Sequence, residues 1–186
     1  MLKSNFMSIF LSLILKSGVM KKLIIVLCGL IWVSCQESET ISDFTGNEIT
    51  YSLQPGSQYS VSGLVTIKER KDGSSTVLVS LTGTSGDTKL PLHLHLGEIT
   101  TPGADVAALL SPVNSKTGKS ETKLTQLADE TSISYAELIK LEACLKVHLS
   151  DTGAERDIIL AGGNIGLSAS KAIANGRITV GVCKSE

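Results

Sequence analysis

Residues 90–97 read LPLHLHLG, in which Leu92, Leu94 and Leu96 alternate with His93 and His95. Successive side chains of a β-strand point to opposite faces, so the leucines share one face and the imidazoles the other. The leucines take the core, which puts both histidines on the outer face of a strand over residues 89–96, ended by Gly97. The third and last histidine has the same setting. In ACLKVHLS, Leu145, Val147 and Leu149 alternate with Lys146, His148 and Ser150, so His148 is also expected on an outer, polar face.

Working outward, the same period of two recurs. Residues 59–68 (YSVSGLVTIK) alternate loosely, KDG supplies a turn, and residues 75–82 (STVLVSLT) alternate clearly, which together read as a hairpin. TTPGAD makes a turn before a strand at 106–110. Residues 111–126 are polar and lysine-bearing, and read as a loop with a short strand near 122–127. Three further strands are expected at 143–149, 157–161 and 177–183, separated by DTGAERD and by the small-residue stretch GGNIGLSASKAIANG, whose glycines read as turn or bulge positions. One short helix is expected near residues 134–142, where Ser134 and Glu137 form a capping box and Tyr135, Leu138, Ile139 and Leu141 make a helical stripe. Many short strands with glycine turns and one helix imply an all-β fold, an antiparallel, Greek-key-like β-sandwich or barrel, of which the sandwich is the expectation carried forward. About 140 residues from position 49 onward suffice for one domain.

Two imidazoles on one strand face, separated by one residue, are close enough to chelate a single ion through neutral nitrogens. With His148 alongside they would form a three-histidine site suited to copper or zinc, leaving a fourth position for water. Glu98 and Asp151, each a few residues from a histidine, are candidates for an additional ligand or a hydrogen-bonding support. The competing reading is that all three are surface residues of strands, stacked on or bonded to their neighbours.

The segments HLHLG (93–97), YAELIKLEACLKVHLS (135–150) and GAERDIILAGGNIG (153–166) resemble the CHRD domain family, named for chordin. That family shows an HIHxG-like segment, a short acidic helix running into a strand of the form YVNVHT, and a GEIRG-type strand. The resemblance spans roughly residues 60–166 and implies a β-sandwich acting as a binding or structural module. The chain departs from the pattern before His148, where Cys144 and Leu145 stand in place of an aromatic and an asparagine. A second resemblance is to Cu/Zn superoxide dismutase, whose copper is held partly by an H-x-H strand and a later V-H strand. It implies His93, His95 and His148 as metal ligands and Arg177, in NGRITVGVC, as the arginine of the final segment. A dismutase needs a fourth histidine for copper and more for zinc, and the chain has three in all.

The amino terminus speaks to location. Residues 1–34 contain four lysines, no acidic residue and two apolar runs. From Met20, MKKLIIVLCGLIWVSC has a basic start, an apolar run and Ser34 ahead of Cys35, the layout of a bacterial export signal of the lipoprotein type. Met20 is then the expected true start and Cys35 the expected lipidation site. Trp32 is a departure from the usual aliphatic residue, and an uncleaved membrane anchor is the alternative, although its apolar run is short for a span. Residues 35–48, beginning CQESETISDF, read as a flexible tether. Glu37 and Glu39 resemble the export tag of surface lipoproteins in the Bacteroidetes group. The expected location is the cell envelope, as an outer-membrane lipoprotein facing the periplasm or the cell surface. The expected partners are the membrane, through Cys35, and a protein of the envelope.

With residues 1–34 removed, the remaining chain carries a formal charge of −5, which argues against nucleic acid as a partner. Cys28 leaves with the signal and Cys35 takes the lipid, so Cys144 and Cys183 are left as a disulfide pair in an oxidising compartment, or as two buried thiols. No nucleophile elbow, phosphate loop or H-E-x-x-H motif occurs, and no catalytic residue is assigned. Beyond Cys35 the aromatics are Phe44, Tyr51, Tyr59 and Tyr135, too few and too scattered for a sugar-stacking platform.

Overall fold

The computed structural model describes residues 42–174. Along them run β1 (Phe44–Pro55), β2 (Ser62–Arg70), β3 (Ser75–Thr82), β4 (Lys89–Leu96), β5 (Val106–Asn114), β6 (Lys119–Leu124), α1 (Tyr135–Leu138), β7 (Glu142–His148), β8 (Ile159–Ile165) and α2 (Gly166–Ala174). The expected export signal, Cys35, Arg177, Cys183 and the strand at 177–183 lie outside the described residues.

The strands are all antiparallel to their neighbours and follow the order β1-β2-β3-β6-β5-β4-β7-β8 before closing on β1. Strands β4, β5 and β6 follow one another across the sheet while β7 returns to lie beside β4, a Greek-key arrangement. The expectation of an all-β antiparallel fold holds at that level. Two separate sheets were expected, and the ladder instead forms one closed barrel. Alternation of apolar residues demands one buried face, and a barrel interior satisfies that demand as well as a sandwich does.

The closing strand begins at Phe44, inside the stretch read as tether. Its far end, Gln54 and Pro55, pairs with Gly162 and Ala161 of β8. Closure brings the Ser52 carbonyl so near Gly163 that a Cβ there would stand 2.3 Å from the oxygen, so β8 needs glycine at this point. Gly162 and Gly163 therefore belong to a strand rather than to the turn expected from GGNIG.

The barrel interior is filled by alternate residues of each strand, among them Leu53, Val65, Ile67, Leu92, Leu94 and Val147, all at most 1 % exposed. Full burial of such side chains contributes about 1.5–3 kcal/mol each. Leu96, expected with Leu92 and Leu94, is 40 % exposed. Leu96 keeps its register against Ala143 of β7 but is the last residue of β4, and the extra residue at the Leu94–His95 step belongs to β5.

The capping box forms as read: the Ser134 hydroxyl accepts from the Glu137 N–H, and the Glu137 carboxylate accepts from the Ser134 N–H. The helix is a single turn, shorter than 134–142, because Glu142 already belongs to β7. Strand β5 continues to Asn114, into the expected loop, and returns as β6 through a turn at 115–118. The second helix, α2, was read as part of a turn-rich stretch. Lys171 ties it to Glu142 of β7 by an ion pair, and the Ser168 hydroxyl donates to the Gly97 carbonyl at the end of β4. Among the described residues no helix is long and apolar enough to cross a membrane.

Candidate metal centre

Strands β4 and β7 are neighbours in the barrel, with His93 opposite Lys146 and His95 opposite Cys144. Directly opposed residues have Cβ atoms about 4.5–5.5 Å apart, and diagonal neighbours remain within reach of long side chains. His148, two residues beyond Lys146 on the same outer face, is diagonal to His93. The three histidines accordingly converge: ring centroids lie 4.8 Å apart for His93 and His148, 5.8 Å for His93 and His95, and 6.0 Å for His95 and His148. One ring nitrogen from each falls within 4.8 Å of the others.

The outer face here is not open to solvent as alternation suggested. His95 is 7 % exposed and His148 8 %, while His93 is half-buried at the mouth. Two connections cover them: residues 97–105 between β4 and β5, and residues 149–158 between β7 and β8. Gly97, with φ of +86°, turns the chain out of β4 into the first. That connection is pinned by the Ile99 N–H, which donates to buried Asn164 Oδ1 of β8 at 2.6 Å. Ile99 packs with Cys144 and Ile159 in a small apolar cluster outside the barrel. Burial of Cys144 is complete, and its expected partner Cys183 lies outside the described residues.

The covering connections also fix the rings. His95 Nδ1 lies 2.8 Å from the Ala104 carbonyl oxygen, and His148 Nδ1 lies 2.8 Å from that of Arg156. A carbonyl oxygen only accepts, so each Nδ1 carries the proton and each Nε2 of a neutral ring carries the lone pair. Both Nε2 atoms are buried and have no hydrogen-bond partner among the described residues. Burial pushes the pKa of all three imidazoles down, with further repulsion of His93 by Arg156 and of His95 and His148 by Lys146. Carbonyls at Nδ1 oppose this for His95 and His148, as does Asp157 for His148. The rings are thus held neutral, the form that ligates metals.

A depression of about 680 Å³ opens over the three rings. Thr100, Thr101, Pro102 and Val106 line one side, and Asp151, Arg156, Asp157 and Ile159 the other. Of the two acids proposed as supports, Asp151 lines it and Glu98 does not. Sequence reasoning missed Lys146, Arg156 and Asp157. Lys146 was signalled by its place two residues before His148; the other two sit in a turn whose path the sequence does not reveal.

A bound zinc or copper requires Nε2 distances of about 2.0–2.1 Å, hence nitrogen separations of about 3.3 Å in a tetrahedral site. The ring nitrogens, all within 4.8 Å of one another, would be drawn closer by an ion, and His93 is the one ring of the three that no hydrogen bond holds among the described residues. Comparison with protein-family models, with curated proteins and with solved structures finds no match to this chain.

Proposed function

We propose that the protein is an exported, lipid-anchored module of the cell envelope whose barrel holds one zinc or copper ion through His93, His95 and His148. The observation that carries this reading is the pair of buried Nε2 atoms of His95 and His148, which have no hydrogen-bond partner among the described residues, while each Nδ1 is committed to a backbone carbonyl and the rings cluster with that of His93. Leaving buried acceptors unsatisfied costs about 1–3 kcal/mol apiece, and a metal ion removes that cost. A protonated Nδ1 held by a carbonyl is also how metal-ligating histidines are oriented and made more basic.

The module is non-catalytic in this proposal. With three histidines in the chain, the ligand set falls short of a dismutase's, so redox cycling of superoxide is not assigned. Likeness to the CHRD family is retained as a proposal, supported by the H-x-H strand lying beside the V-H strand in a Greek-key order, although the sheet closes into a barrel. The lipid anchor at Cys35 and an outer-membrane position facing the periplasm or the surface rest on the amino-terminal sequence.

Elemental analysis of the full chain purified without chelator tests the site: about one zinc or copper per chain is expected, and negligible metal in the His93→Ala, His95→Ala variant. Equal, negligible metal in both would leave the histidines as a packed cluster and the domain as a binding or structural module. For the anchor, Cys35→Ser is expected to release the protein from membranes, and continued pelleting with them would reject lipidation there.

A further inference from the structure

Lys146 stands directly opposite His93 on β7, faces the depression over the histidines, and is 8 % exposed. A lysine so deeply covered ordinarily has a carboxylate within reach. No ion pair or hydrogen bond among the described residues includes its side chain, and its ammonium is not sealed in but reaches the depression. Two acids line the same depression, but Asp157 lies 4.0 Å from Arg156 Nε, and Asp151 is exposed at the rim.

The electrostatics of an occupied site are then unbalanced. Three neutral imidazoles leave the charge of a divalent ion undiminished, and the ammonium adds a further positive charge beside it. Ile99, Pro102, Val106 and Ile159 line the depression with apolar surface, which weakens screening. A tetrahedral ion held by three histidines also keeps one position open toward that space.

We infer that the open position takes a small carboxylate, one oxygen on the metal and the other accepting from the Lys146 ammonium. Such a ligand completes the coordination, gives the lysine its partner and cancels charge, and the space suits molecules from acetate up to small dicarboxylates. The inference rests on the metal reading above and adds to it the class of ligand and the residue that selects it.

The test is acetate titration of the full chain loaded with Cu(II), read by the copper d–d absorption, after metal content has been measured in each variant. Wild type and Lys146→Met are expected to hold the same single copper, with acetate binding at least tenfold weaker in Lys146→Met and near wild type in Lys146→Arg. In the wild-type zinc form, acetate is expected to shift the Lys146 Hε resonances, a readout that needs no variant. Equal acetate affinity in wild type and Lys146→Met, or unmoved Lys146 resonances, would overturn the carboxylate site while leaving the metal site standing. Acetate binding that appears only in Asp151→Asn would overturn it too, by showing that the protein supplies its own carboxylate. Absence of copper in the wild type would be seen before any titration and would remove the metal reading with it.

Discussion

The barrel has two walls built on the same antiparallel ladder that treat charge in opposite ways. On the outer face of β1 and β2, Glu48 stands opposite Lys68 and their charged ends meet at 2.9 Å. Two residues along, Thr50 is opposite Thr66 and their hydroxyls share a hydrogen bond of 2.8 Å. On the outer face of β4 and β7, His93 is opposite Lys146, with His95 and His148 close by, so these four groups are cationic or neutral, and the acids nearby, Asp151 and Asp157, come from the connection above them. The first wall is what solvated cross-strand pairing produces by default. The second gathers groups that repel one another when charged and then covers them with two connections, which works against the stability of the empty domain. An arrangement that costs stability in this way is expected at a binding site.

The largest effect should come from supplying what the second wall lacks. Zinc at about a thousand times its dissociation constant should stabilise the domain by about 4 kcal/mol. Urea unfolding with and without zinc measures this, and His93→Ala, His95→Ala should abolish it. A wild type equally stable in both conditions would mean that the two walls differ in burial alone.

The empty site should also make stability depend on pH, in a definite direction. His95 and His148 have folded-state pKa values below those of the unfolded chain, chiefly through burial. As pH falls through about 6.5, the unfolded chain takes up protons that the folded domain refuses. Stability is therefore fully present above that pH and declines below it, by up to about 1.4 kcal/mol per pH unit for each histidine until its folded pKa is reached. Chemical denaturation of the metal-free protein at pH 5 and pH 7.5 would show it. A flat profile would place the histidines in contact with solvent.

A smaller effect isolates the lysine. Replacing Lys146 by Met in the metal-free domain removes a largely covered charge beside three imidazoles that has no ion-pair partner among the described residues, and should stabilise it by up to about 1 kcal/mol. The same change should raise the pKa of His95 and His148, because Lys146 contributes to their depression. An NMR titration of the ring protons reads this directly, and unchanged values would mean that the ammonium points away from the rings.

How much of this was legible in the sequence differs between the walls. Strict alternation in LPLHLHLG fixed the face of Leu92 and Leu94, because a one-residue slip would have put leucines in water. It failed at Leu96, the last residue of the strand, because alternation gives the side a residue takes but not how far along the strand the core reaches. Closure of the sheet was hidden because β1 carries TGNE at its start, which reads as linker, and because the glycines that admit it in β8 look like turn residues. For the site, the period placed His93 and His95 together, and the V-H strand suggested His148. Burial of all three was not legible, since it comes from two connections whose paths are set by contacts such as Ile99 with Asn164 and His148 with the Arg156 carbonyl. Alternation says which side of a strand a residue takes, and nothing about what later covers that side.

The open wall supplies the control, and the smallest effect. Lys68 and Glu48 are 34 % and 51 % exposed, so water screens their attraction and ordering two long side chains offsets much of what remains. A double-mutant cycle with Glu48→Ala and Lys68→Ala should give a coupling of about 0.2–1 kcal/mol, falling toward zero in 1 M salt, where the screening length is about 3 Å. The coupling between Lys146 and His148, measured by the analogous cycle with Lys146→Met and His148→Gln at pH 5, should have the opposite sign and weaken less in the same salt, because both residues are more than nine-tenths covered. If both couplings vanished together in salt, Lys146 and the histidines would be an ordinary solvated patch. Persistence of the second alone would tie the difference between the walls to the two covering connections rather than to the strands beneath them.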